Sequence, residues 1–252
     1  VVPISCYILT YNSEKYLEQI IKKAAEVADE ILIVDSGSTD KTCAIAKTYN
    51  CRFIERKLDN FSAQRAYAIA SCKFDTVLFF DSDEIPSDAL VDALKLIKEK
   101  GPLFDAYEIK REWIVFGKKV HAMFPITCPD YPIRMLNRTK VVFDERSTLV
   151  HETPHGHETL GRVEAPVMHY TFETREELNA KLERYTTIAA EDIIRRKKAV
   201  NIFKILISPP FAWVKWFIIK GGWRDGLTGL VLAKYAFDYT RLKYSKARKM
   251  NS

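Results

Sequence analysis

Through the first hundred residues the apolar positions follow two alternating patterns. Mostly apolar runs at 4–10, 30–35, 51–55 and from Thr76 to Phe80 are short and bounded by polar signals. Such runs read as strands buried on both faces, at home in the middle of a sheet. Between them apolar residues recur at helical spacing. Tyr16, Leu17, Ile20, Ile21, Ala24, Val27 and Ala28 share one face, behind the cap-type residues Asn12 and Ser13. Further helices are predicted up to about Tyr49, over about 62–72, and from Ser87 with Leu90, Ala93, Leu94 and Ile97 inward, ended by Gly101-Pro102. Strands alternating with helices through short connections require a parallel sheet covered on both faces.

After Gly101 the texture changes. Residues 106–116, 132–136 and 141–143 are short β-like pieces separated by Pro and Gly, which predicts mixed or antiparallel sheet. Val163 to Met168 reads as a strand followed by His169. The pattern from about 174 to 198 is helical, with Leu178, Leu182, Tyr185, Ile188, Ala189 and Ile193 expected to be core. A later apolar run, 205–219, is interrupted by Pro209-Pro210 and Lys215, and is shorter than the ~20 apolar residues of a membrane span.

Composition adds a division within the chain. Its 252 residues, 47% hydrophobic and 29% charged, suit one large α/β domain or a domain with an appendage. The net charge of +6 conceals an uneven spread: residues 195–252 carry fourteen Lys/Arg against two Asp/Glu, +12, which leaves −6 for the rest. Such a tail is expected to meet an anionic partner. Trp213, Trp216 and Trp223 interleaved with Lys favour a membrane interface over a nucleic-acid groove, which would spread its charges over a polar face. Five cysteines without a CxxC pair predict reduced thiols and a cytoplasmic location, and no secretory signal pattern opens the sequence.

The candidate chemistry sits at strand ends. Thr10-Tyr11-Asn12, Asp35-Ser36-Gly37-Ser38 and Asp81-Ser82-Asp83-Glu84 each follow an apolar run. In open α/β sheets the ligand crevice lies outside the carboxyl ends of the strands. Asp81, Asp83 and Glu84 would all be delivered there, and carboxylates so close repel unless a cation sits between them. A hard ion such as Mg²⁺ takes one or two carboxylates plus phosphate oxygens; the alternative is an ordinary acidic turn. There is no GxGxxG after the first strand and no lysine-bearing phosphate loop. Arg134 is either a phosphate contact or an exposed strand residue. His151, His155 and His157 lack the helical HExxH spacing, so a polar acceptor loop is expected rather than a metal cluster.

The segments 8–12, 30–40 and 81–83 together resemble, in order and spacing, the leading motifs of family 2 glycosyltransferases of the GT-A fold. Residues 60–65, 149–152 and 222–226 extend the likeness to bacterial lipopolysaccharide core β-glucosyltransferases, over nearly the whole chain. The resemblance implies an α/β fold of GT-A type, a Rossmann-like mostly parallel sheet with helices on both faces. The expected division is a catalytic domain at 1–198, with a nucleotide-binding half 1–100 and an acceptor half 101–198, ahead of an extension at 199–252 that the tail's charge and tryptophans predict to be helical, basic and membrane-associating. The resemblance implies an inverting transfer of a sugar, glucose in that branch, from a UDP-sugar to a lipopolysaccharide core or other glycolipid, with Mg²⁺ or Mn²⁺, on the inner face of the cytoplasmic membrane. A protein or soluble glycan acceptor, or a sugar-nucleotide nucleotidyltransferase, are the alternatives; the last would want an N-terminal glycine-rich loop.

Residue by residue, Asp35 would read the uracil, and Thr10 and Asn12 would border base and ribose. Arg65 would lie near the diphosphate or donor sugar. Asp81 would belong to the acidic motif at the ribose and metal. Asp83 is the better metal ligand, and His169 is either a late ligand or a structural hydrogen-bonder. Direct displacement needs one general base; Glu152, after Val150-His151, is the candidate, with Glu145 and Asp144 as rivals.

Overall fold

The computed structural model describes residues 1–143, 154–197 and 200–251. Two compact units emerge, Val1–Arg111 with Tyr131–His169, and Glu112–Asp130 with Tyr170–Ser252.

The first unit opens with β1 (Ile4–Thr10), α1 (Glu14–Ala25), β2 (Glu30–Asp35), α2 (Thr42–Thr48), β3 (Arg52–Glu55), α3 (Phe61–Ser71) and β4 (Thr76–Asp81). β5 (Glu84–Pro86) and α4 (Asp88–Lys100) follow. Successive residues of a strand face opposite sides, and β4 shows it plainly. Leu78 and Phe80 join Ile4, Cys6 and Ile8 against Leu17, Ile20, Ile21, Leu90 and Leu94 from α1 and α4. Val77 and Phe79 join Tyr7, Leu32 and Val34 against Ala68 and Ile69 from α3. Both faces are therefore covered, which is why these runs are apolar without alternation.

Hydrogen-bonded order in this sheet runs β3-β2-β1-β4, all parallel. The chain winds outward from β1 to β3 and then returns to place β4 on the other side of β1. That reversal is the switch point where a crevice opens at the carboxyl ends, between Thr10 and Asp81. Beyond β4 the order continues with β10, β6, β11 and β5. Here β6 is Ala106–Val115, β10 is Ile133–Asn137 and β11 is Leu160–Phe172. β10 is antiparallel to both β4 and β6, and β11 to β5, as the change of texture after Gly101 predicts.

Helix starts follow the expected chemistry at Ser87, whose Oγ accepts from the Leu90 amide. Gly101 ends α4 at φ 84°, a conformation that favours glycine. Segment 141–143 forms a single bridge, Val142 to His155, rather than a strand.

The second unit contains β7 (Lys118–Lys119), which pairs with Ile114 and Val115. The β8 (Ala122–Met123)–β9 (Ile126–Thr127) hairpin follows, then α5 (Arg175–Arg195), α6 (Ile202–Val214) and α7 (Gly226–Met250). A π turn at Lys215–Ile219 and a 3-10 turn at Gly222–Asp225 join the last two. Trp113, Val115, Phe172, Leu178, Leu232 and Tyr235 anchor its core. Gly229 has no room for a side chain: a Cβ there would lie 1.7 Å from the Gly222 carbonyl oxygen. The 3-10 turn and α7 can therefore touch backbone to backbone.

Two expectations for this part of the chain are corrected. The stripe along α5 is not all core, since Leu178 is buried while Tyr185 and Ile188 stay exposed. Helical spacing assigns residues to one face, but α5 is buried along only part of that face. Pro209 and Pro210 do not break the apolar run either; they lie inside α6. Each lacks the amide that would bond four residues back, yet the helix runs through both, with Ala212 of its inner face and Trp216 of the π turn beyond packed with Ala236 of α7.

Candidate active site

Asp35 ends β2 with its carboxylate turned into the structure. It accepts from Thr10 Oγ1 at 2.7 Å, from the Gly37 and Ser38 amides at 2.9 and 2.7 Å, and from Ser38 Oγ at 2.5 Å. A carboxylate offers about four lone-pair sites, so all are engaged. Asp35 thus shapes the turn that follows it, where Gly37 sits at φ 93°. Asn12 closes the same corner from β1. Its backbone adopts φ 49°, which asparagine tolerates better than most residues; its amide donates to Ser38 Oγ and its Oδ1 accepts from the Thr39 amide. Thr10, Asn12 and Asp35, twenty-five residues apart in sequence between first and last, form one hydrogen-bonded corner.

Across the switch point stands Asp81. Arg65 reaches it from α3 through Nη2, 2.7 Å from Oδ1, and Arg134 reaches it from β10, 2.8 Å from Oδ2. Both guanidiniums lie against the Phe79 ring, at 5.4 and 5.3 Å from its centroid. Burial by itself would raise the Asp81 carboxyl, but Arg65 and Arg134, with Arg111 behind them, hold it far below the usual carboxylate range. It stays ionised at any physiological pH.

Glu84 departs from the expectation that all three carboxylates reach the crevice. It is wholly buried, with Arg134 at 2.6 Å and Arg111 at 3.0 Å. Burial raises its carboxyl and the two arginines more than offset that, so its pKa too is lowered. The cations that relieve repulsion around Asp81 and Glu84 are thus guanidiniums. Arg134 is correspondingly not the exposed strand residue of the second sequence reading: it is 6% exposed. A charged residue is almost never buried unless paired, and Arg134 is paired twice.

Asp83 sits past the end of β4 with a third of its side chain exposed, 3.3 Å from Nδ1 of His169 on β11. His169 lies opposite Glu84 in the β5–β11 pairing, which brings it to this strand end. Among the described residues no three His, Cys, Asp or Glu side chains form a metal cage. Glu152, Glu145, Asp144 and His151 lie outside the described residues. A cavity of about 320 Å³ is lined by Arg65, Arg134, Tyr131, Phe143, Pro154 and His157.

The sequence reading missed Arg111, and it missed that Glu84 is structural. One signal was present: Ile133-Arg134-Met135-Leu136 sets an arginine inside an apolar run, where only a paired charge is tolerated.

A doubly covered parallel sheet with a switch-point crevice, a carboxylate-organised turn on one side and an acidic strand end on the other match the fold of GT-A glycosyltransferases. Residues 5–152, more than half of the chain, match the model of glycosyl transferase family 2, and the protein belongs to that family. It is 27% identical to the lipopolysaccharide core biosynthesis glycosyltransferase LpsC of Rhizobium meliloti, over 97% of this chain and 91% of that one. An uncharacterised glycosyltransferase of Rickettsia typhi is also 27% identical, over 98% of this chain and 87% of the relative. The crystal structure of S. aureus TarS shares the fold at a TM-score of 0.50 and 19% identity, covering 98% of this chain and 54% of that one.

Proposed function

We propose that this glycosyltransferase moves glucose from UDP-glucose to a lipopolysaccharide core or other glycolipid acceptor, with inversion, at the cytoplasmic face of the membrane. The carrying observation is that the Asp35 corner and the Asp81 carboxylate, gripped by Arg65 and Arg134, flank one switch point. The near full-length likeness to a lipopolysaccharide core enzyme supports the acceptor class.

In this reading the uracil imino group takes the place of Ser38 Oγ on Asp35, and Thr10 and Asn12 border base and ribose. Arg65 and Arg134 turn toward the diphosphate, whose charge can share the guanidiniums with Asp81. Asp83 and His169 fit a divalent ion, Mg²⁺ or Mn²⁺, because the carboxylate is partly open and the imidazole adjoins it. A hard ion needs few protein ligands when phosphate oxygens supply the rest. When bound, such an ion offsets the charge developing on the departing diphosphate. Glu152 takes the proton of the acceptor hydroxyl as that oxygen attacks the anomeric carbon. The bond from that carbon to the β-phosphate oxygen breaks, and its electron pair leaves with UDP.

Calorimetry with UDP, with and without Mn²⁺, tests the donor site, and the anomeric configuration of the product tests inversion. UDP affinity indifferent to both Mn²⁺ and Asp83→Asn would remove the ion from the site. Turnover with retention would remove the single-displacement mechanism.

A further inference from the structure

Helix α6 turns apolar residues outward. Phe203, Leu206, Ile207 and Phe211 are each more than half exposed, as are Ile218 in the π turn that follows and Trp223 in the 3-10 turn beyond. A surface helix ordinarily presents polar residues on that side. The opposite side is already satisfied: Ala212 and Trp216 pack with Ala122, Ala236 and Phe124, the Trp216 ring edge-on to Phe124 at 5.5 Å. The outward residues are not core residues awaiting a neighbouring helix of their own unit.

Charge along this stretch of sequence is almost all positive. Between Asp192 and Asp238 the sequence holds a single acid, Asp225. Its side chain is 2% exposed and lies 2.7 Å from the His121 ring, while the His121 amide donates to it at 2.9 Å. Lys204, Lys215, Lys220 and Arg224 carry the positive charge of the same stretch of sequence. Lys204 and Lys215 are eleven residues, about three turns, apart and so share one edge of the apolar face. Long lysine stems can follow apolar surface and raise their ammonium groups away from it.

We propose that this face lies in the interfacial plane of an anionic lipid bilayer, its apolar side chains at the acyl boundary and its lysines among the headgroups. Trp213 and Trp216 do not belong to the inserted set: Trp216 is buried and Trp213 is half-covered, and Trp223 is the tryptophan that faces out. Residues 202–219, with mean hydropathy 1.5, pass by length and composition as a span. Spanning is disfavoured because the inner face is committed to α7 and β8, and lysines fall within the segment. A second copy fits poorly as occupant. A two-fold interface sets the same patch against itself, bringing like-charged lysine edges together.

The test uses the full chain and vesicles of phosphatidylglycerol with phosphatidylcholine, against phosphatidylcholine alone. Binding to the anionic vesicles at low salt, and release by high salt or carbonate, is expected. Ile207→Glu with Phe211→Glu should abolish binding while the thermal melt stays unchanged, since both side chains face outward. Lys215→Gln with Lys220→Gln should weaken partition roughly thirtyfold. Three results would overturn the proposal. Either variant pair could bind like the parent. The protein could resist carbonate extraction, as a spanning helix does. Sedimentation equilibrium without lipid could show a dimer that the Ile207/Phe211 pair of substitutions dissolves.

Discussion

The Nη2 atom of Arg134 lies 2.8 Å from the Asp81 carboxylate and 2.6 Å from that of Glu84. One guanidinium thus bridges a carboxylate at the crevice and one sealed beneath it. The acidic strand end is held by the antiparallel half of the sheet as much as by its own strand.

Arg134→Ala would leave the buried Glu84 with Arg111 as its remaining arginine. Removing one partner of a buried pair costs roughly 3–5 kcal/mol. Urea denaturation should show a loss of that order, and Glu84→Gln in the Arg134→Ala background should recover part of it. Strict additivity of the two substitutions would mean that the pair is not coupled.

Acid should destabilise the protein through the same groups. Asp81 and Glu84 have lowered folded-state pKa values, so the unfolded chain takes up protons first as pH falls. Their contribution is fully present above the unfolded values, near pH 4 to 4.5, and is lost as pH drops from there toward the folded values. Stability measured by urea titration should be level above about pH 5 and fall below it. Asp81→Asn should flatten that fall; an unaltered slope would show that other carboxylates govern it.

Asp83→Asn should leave the fold intact, because a third of this side chain is already open to solvent. Turnover supported by Mn²⁺ should collapse while the thermal melt is retained. Normal Mn²⁺-supported turnover in the variant would return Asp83 to the role of an ordinary turn residue.

Glu152→Gln should lose turnover by ~10²- to 10⁴-fold, the usual range for a general base, and keep UDP affinity. If Glu145→Gln behaves that way and Glu152→Gln stays active, the base is Glu145.

The sequence by itself determined the parallel half of the sheet and the strand ends at Thr10, Asp35 and Asp81. A strand buried on both faces must be apolar throughout, and an amphipathic helix must repeat near 3.6 residues, so both are written locally. It also marked the Gly101 helix end and the cap at Ser87. Only the tertiary structure decided which carboxylates point where. Asp81 and Glu84 are three residues apart and equally acidic in sequence, yet one borders the crevice and the other is sealed between Arg111 and Arg134. Arg111 and Arg134 come from strands roughly thirty to fifty residues away, and a pairing at that range leaves no local periodicity. The same holds for α6, where the apolar run is legible but its outward direction is not. Which side of a helix faces solvent is set by what packs on the other side, here Ala122, Phe124 and Ala236.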